Sequence, residues 1–109
     1  FRFLLNKQDI SHTFSRGQLK RVHLAIVLAQ KWLFKAVLSR PVLTLIDDLT
    51  SELDQPAIMM VLNYIQQDDD QCVITLIPNS DIEKICSSMG GMFHVKHGAV
   101  SPVDHMTDE

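Results

Sequence analysis

Residues 42–54 read VLTLIDDLTSELD: an apolar run, two adjacent aspartates, and two further acids, Glu52 and Asp54, within the next six positions. Val42 to Ile46 has the length and the Leu/Ile/Val content of a strand covered on both faces, as in a parallel sheet. Carboxylates beside an apolar interior cost free energy unless a cation offsets them. The tip of a buried parallel strand is also where open α/β folds keep their chemistry. The acids therefore either hold a metal or form a solvated turn that ends in a helix cap.

Upstream of this stretch the periodicity is helical. From Gln18, the residues Leu19, Val22, Ile26, Ala29, Leu33 and Ala36 step by three and four, widened by Ala25, Leu28 and Trp32, which predicts a helix of about five turns with a core-facing stripe. Lys20, Arg21, Lys31 and Lys35 fall off that stripe and read as a solvent face, and Trp32 reads as core. Pro41 ends the helix, because the residue before a proline avoids helical geometry. Residues 1–14 begin with a short apolar segment suited to a strand and then turn polar.

Downstream, Asp54 is placed to cap a second helix that tolerates Pro56 in its first turn and carries Ile58, Val61, Leu62 and Ile65 on one face. One of Met59 and Met60 packs and the other meets solvent. DDDQ (68–71) reads as a solvated loop and CVITLI (72–77) as a second buried strand, broken by Pro78 and Asn79. Ser80 with Glu83 predicts a capping box for a short helix bearing Ile82, Ile85 and Met89. Gly90-Gly91 leads into MFHVKHGAV, a strand, a tight turn at His97-Gly98 and a final short strand, and residues 101–109 form a polar tail. The order helix, strand, helix, strand, helix, strand implies an α/β fold with a parallel sheet and right-handed crossovers.

The bulk properties exclude several classes. At 109 residues with 46% hydrophobic and 21% charged content, the chain is one globular domain at most. No apolar stretch approaches the ~20 residues that a membrane helix needs, no secretory signal pattern is present, and a cytoplasmic location is expected. The first residue is Phe1, consistent with a piece of a longer product. Cys72 and Cys86 lack metal or redox spacing and read as idle thiols, and the five histidines share no ligand spacing. The net charge of −3 argues against a free-standing nucleic-acid binder. Eight of the ten Lys/Arg lie in residues 1–40 against Asp9 alone, so an anion site there is permitted.

Two segments carry candidate chemistry. In FSRGQLKR, Ser15 offers a hydroxyl, Gly17 lets a backbone come close, and Gln18 opens the helix, whose first-turn amides and dipole suit a phosphate. Alone, such a Ser-x-Gly is usually a helix cap. In VLTLIDD, a strand ending in Asp47 is suited to Mg²⁺ beside nucleotide phosphates, and Asp48 is suited to orienting an attacking water.

Taken together, SRGQ opening a helix, LIDD ending a strand and SELD following it resemble ABC-type ATPase heads. RFLLN before SRGQ, Asp rather than Glu at position 48, and MFHVKHG near the end resemble more narrowly the C-terminal part of the RecF family, DNA replication and repair ATPases related to SMC proteins. The likeness spans nearly the whole chain. It implies that Ser15, Arg16, Gly17 and Gln18 form the signature motif, which touches the γ-phosphate of ATP held by a partner subunit. Asp47 is then the Mg²⁺-associated acid, Asp48 the water-activating carboxylate, and Ser51, Glu52, Leu53 and Asp54 the D-loop at a dimer interface. The same resemblance implies ATP-dependent homodimerisation, binding of double-stranded DNA near single-strand gaps, RecO and RecR as partners, and a role in recombinational repair and the SOS response.

Two departures stand out. Ile77, Pro78 and Asn79 occupy the place where ABC ATPases usually carry a switch histidine, leaving Thr75 or Ser80 as hydroxyl donors. The four glycines, 17, 90, 91 and 98, form no G-x-x-x-x-G-K-[ST], so the P-loop half is absent and the 109 residues alone are expected to be inactive as an ATPase. A fragment of another SMC-like ATPase, or a non-catalytic α/β interaction module, are the competing readings.

Overall fold

Residues 42–54 fold as a strand, a turn with positive φ at Asp48 and Glu52, and the cap of a helix. The computed structural model describes residues 2–77 and 79–103, and the chain divides into two compact units, Phe1–Ile77 and Pro78–Glu109. The elements of the first unit are β1 (Leu4–Leu5), β2 (Gln8–Asp9), α1 (Ile10–Thr13), α2 (Arg16–Leu38), β3 (Thr44–Ile46), α3 (Gln55–Gln66) and β4 (Cys72–Ile74). The second holds α4 (Ser80–Met89), β5 (Phe93–Lys96) and β6 (Ala99–Pro102).

β3 and β4 pair in parallel, with Thr44, Leu45 and Ile46 opposite Cys72, Val73 and Ile74. The ladder continues past both ends: the Thr44 amide donates to the Gln71 carbonyl at 3.1 Å, the Thr75 amide to the Ile46 carbonyl at 2.9 Å, and the Leu49 amide to the Thr75 carbonyl at 3.0 Å. The α/β class and the parallel pairing match the expectation. The two-sided burial does not. Thr44 and Ile46 are buried, whereas Leu45 is 68% and Val73 48% exposed, so one face is covered and the other is open. The parallel sheet has only these two strands among the described residues, and within the second unit β5 and β6 pair antiparallel.

α3 contributes four of the eight buried apolar side chains among the described residues. Its Ile58, Val61, Leu62 and Ile65 are all buried, as their spacing predicts. Leu62 is almost wholly enclosed, at 1% exposure, so Leu62→Ala should cost about 2–5 kcal/mol. Of the two methionines, Met60 is exposed and Met59 is partly covered. Asp54 caps α3 by accepting the Ala57 amide at 3.0 Å.

α2 is longer than expected and turns a different face inward. It runs beside α3 in the same direction: Arg21 pairs with Asp54 near the start, and Lys31 and Lys35 both reach Asp68 just past the end of α3. Leu33 and Trp32 are more than half exposed and Ala29 and Ala36 lie outside, while Lys31 is 4% exposed. Trp32 is therefore not core, and Lys31 and Lys35 are not a solvent face. Their aliphatic stems pack while their ammonium groups meet acids. The Lys31 ammonium lies 3.1 Å from Asp68, close enough for an ion pair but misaligned for a hydrogen bond. Lys35 bridges Asp68 and Asp70, and Asp70 also accepts the Val42 amide at 3.1 Å. The 68–70 loop, expected to be solvated, is thus an anchor for α2 and for the entry to β3.

The remaining elements are short. β1 and β2 form a hairpin whose Asn6 and Lys7 both have positive φ. Asp9 caps α1, and hydrogen bonds from Ser11, with Arg2 beside them, lower its carboxyl pKa to about 2. In the second unit Asn79, not Ser80, is the N-cap of α4, accepting the Asp81 amide at 3.1 Å. His97 and Gly98 both take positive φ in the hairpin turn between β5 and β6, as two-residue connections require. The tail expected over 101–109 begins within β6. Residues 104–109, Phe1, Pro78 and the Ser80 side chain lie outside the described structure. Both cysteines are free, and partial burial raises their thiol pKa values.

Candidate functional site

The start of α2 is held by a reciprocal cap. The Ser15 hydroxyl accepts the Gln18 amide at 3.2 Å, and the Gln18 side-chain carbonyl accepts the Ser15 amide at 2.9 Å. These bonds satisfy two of the amides that a helix start leaves unpaired, and those of Arg16 and Gly17 remain without an intrahelical acceptor. Ser15 and Gln18, two of the four residues expected to form an anion cradle, thus also cap the helix.

Gly17 has a second role that periodicity does not reveal. A β-carbon there would lie 2.7 Å from the backbone oxygen of Glu52, so the close approach that requires glycine is to this chain's own 51–54 loop. Arg16 reaches the same residue, 3.8 Å from the Glu52 carboxylate, in an exposed pair worth little by itself. Arg21 pairs with Asp54. The Ala57 amide, joined by Arg21, holds the Asp54 carboxyl below the usual carboxylate range. The structure thus brings 15–18 and 51–54 together within one chain, with Leu53 lining the apolar groove of about 640 Å³ between α2 and α3.

The two aspartates diverge. Asp47 is exposed at the end of β3, and one carboxylate oxygen accepts the Thr75 hydroxyl at 2.5 Å. Asp48 is half-buried, with φ of 54° and one carboxylate oxygen enclosed without a hydrogen-bond partner. A left-handed conformation costs an L-residue about 1–2 kcal/mol, and it persists only where neighbours over-determine it. Here they do. The Asp48 amide donates to the Thr75 hydroxyl at 2.8 Å, and the Asp48 carbonyl accepts the Lys20 ammonium at 2.5 Å and the Ser51 amide at 3.2 Å. Lys20 also donates to the Ser51 carbonyl at 2.6 Å. Glu52, with φ of 61°, closes the turn.

Lys20, expected on a solvent face, instead holds this turn, and Thr75, one of the two expected hydroxyl donors, contacts both aspartates. Lys20 lies one helical turn beyond Gly17 and so shares its loop-facing side. Thr75 is the polar interruption at the end of an apolar strand, the same signal that singled out Asp47.

The exposed Asp47 is the carboxylate at this turn that could contribute to holding a divalent cation. Mg²⁺ takes one or two carboxylates and completes its shell with waters and phosphate oxygens. Among the described residues no group of three or more His, Cys, Asp or Glu could cage a metal without such help. No helix among them is long and apolar enough to cross a membrane.

No protein-family model matches the chain, and no solved structure matches it. Curated relatives do. It is 34% identical over 93 residues to the DNA replication and repair protein RecF of Idiomarina loihiensis, covering 85% of this chain and 26% of that protein. It is 33% identical over 100 residues to RecF of Psychromonas ingrahamii and 35% over 107 residues to RecF of Cellvibrio japonicus, in each case covering 92% of this chain and 28% of the relative. Over most of its length the chain is therefore a relative of the RecF replication and repair proteins, and it spans about a quarter of the length of those it matches.

Proposed function

We propose that this chain is the C-terminal portion of a RecF-like ATPase head, part of a cytoplasmic, ATP-dependent DNA-binding protein. That protein acts in DNA replication, recombinational repair and the SOS response. One observation carries the reading: Lys20 and Gly17 dock the start of α2 onto the turn that bears Asp48 and the loop 51–54. Three segments whose order resembles signature motif, metal-side acids and D-loop also meet in space.

In the complete protein, Asp47 would hold Mg²⁺ on the nucleotide, and that ion would neutralise charge developing on the transferred phosphate. Asp48 accepts the proton of the attacking water. The free amides of Arg16 and Gly17, with the Ser15 hydroxyl, face the γ-phosphate of ATP carried by a second copy, and residues 51–54 lie at that dimer interface. Double-stranded DNA near single-strand gaps is the proposed substrate, with RecO and RecR as partners. The 109 residues contain no P-loop, so the chain alone is not proposed to bind ATP.

The test is a chimera in which this chain replaces the matching quarter of Idiomarina loihiensis RecF. It should hydrolyse ATP with dependence on Mg²⁺ and DNA, and the isolated chain should give no heat with Mg-ATP in calorimetry. A folded chimera that binds DNA yet never hydrolyses ATP would overturn the proposal in favour of a non-catalytic module.

A further inference from the structure

We propose that Lys20 is a positioning residue that couples the start of α2 to the acid-bearing turn, so that neither can shift without the other. Its ammonium donates to two carbonyls of one turn, Asp48 at 2.5 Å and Ser51 at 2.6 Å. Those carbonyls belong to residues flanking the turn's apolar anchor, Leu49, which is fully enclosed at 0% exposure. Backbone carbonyls are neutral, so the interaction costs no counter-charge and leaves both aspartate carboxylates unneutralised by Lys20. A lysine paired to Asp48 itself would quench the base. A lysine on the Asp48 carbonyl instead fixes where that base points.

The mechanical consequence follows from the strain. Asp48 and Glu52 both have positive φ, and the turn between them relaxes unless it is held. Thr75 holds it from the β4 side through the Asp48 and Leu49 amides, and Lys20 is the hold from α2. Because Lys20 lies one turn beyond Gly17, any displacement of residues 15–18 pulls directly on the Asp48 and Ser51 carbonyls. Contact with a nucleotide at the helix start would thus be felt at Asp48 in the same chain.

This role rests on reading 47–54 as an ATP-site segment, but its test does not require hydrolysis. In the native 109-residue chain, proton exchange of the Lys20 ammonium is followed by ¹⁵N NMR against the exposed Lys7. A clamped ammonium should exchange about tenfold more slowly or more, the protection expected of charge-assisted hydrogen bonds. Lys20→Met should speed amide exchange at Ser51 by about the same factor while α3 amides keep their protection, and Lys20→Arg should restore most of it. If the Lys20 and Lys7 ammonium groups exchange alike, the clamp does not exist, whatever the variants do. If Met and Arg variants behave identically at Ser51, the charge is not what holds the turn. A chimera inactive towards ATP with the clamp intact would refute the function and leave this role standing.

Discussion

Gly17 and Glu52 meet so closely that a β-carbon on the first would press to 2.7 Å on the backbone oxygen of the second. The glycine therefore matters inside a single chain, before any partner or nucleotide is considered. Gly17→Ala must push α2 and the 51–54 loop apart, since the contacted atom is backbone and cannot rotate away. Overpacking of this kind costs about 1–3 kcal/mol. Chemical denaturation of the isolated chain should show that loss. An unchanged midpoint would mean that the contact relaxes freely and that glycine is needed at this position only for what binds there.

Thr75 spans the two aspartates, donating to Asp47 and accepting the Asp48 amide. Thr75→Val keeps the shape and deletes both bonds at this exposed site, a loss of about 0.5–1.5 kcal/mol for each neutral hydrogen bond. Thr75→Ser keeps the hydroxyl and should stay near the native stability. In the chimera, Thr75→Val should lower the ATPase rate while Thr75→Ser largely preserves it. Equal rates for the two variants would remove the hydroxyl from the site.

Lys31 and Asp68 should respond with opposite signs. Lys31→Met removes a buried charge and leaves Asp68 paired with Lys35, so thermal stability should be unchanged or raised. Asp68→Asn strands Lys31 in the interior and should lower the melting temperature. The Lys35 hydrogen bond, reinforced by Lys31, lowers the Asp68 pKa from 3.8. The stabilisation from this carboxylate is thus present above pH 3.8 and lost as pH falls through the lowered value. Lys35, raised above 10.5 by Asp68 and Asp70, contributes below pH 10.5 and ceases to do so as pH rises through its own value. Melting curves of Asp68→Asn and the native chain should therefore converge in acid. A difference that persists after the Asp68 carboxyl has been protonated would contradict the ion-pair account.

Asp48→Asn isolates the proposed base. The side chain keeps its size, and Lys20 and Thr75 hold the backbone as before, so the fold should survive. ATP hydrolysis by the chimera should fall by ~10²-fold or more, as for loss of a general base, with ATP binding retained. An undiminished rate would make Asp48 a turn residue only.

Much of this was legible in the chain alone. A period of three and four set out α3 and its buried Ile58, Val61, Leu62 and Ile65, because one buried stripe on an isolated helix face admits a single orientation. Asp54 before Pro56 marked that helix's start, His97-Gly98 marked a hairpin, and a strand ending in Asp47 marked the candidate site. These features depend on neighbours in sequence, and local chemistry suffices for them.

Only the tertiary structure decided which face of α2 turns inward. A pattern that scores lysine as polar sends Lys20, Lys31 and Lys35 to solvent, yet their stems are apolar and their charges find Asp68, Asp70 and the 48–51 carbonyls across the fold. The reason for glycine at 17 and the place of the Thr75 hydroxyl between two aspartates were hidden in the same way. Each is a contact between residues distant in sequence. No periodicity records such a pairing, because it exists only once the backbone has brought its two halves together.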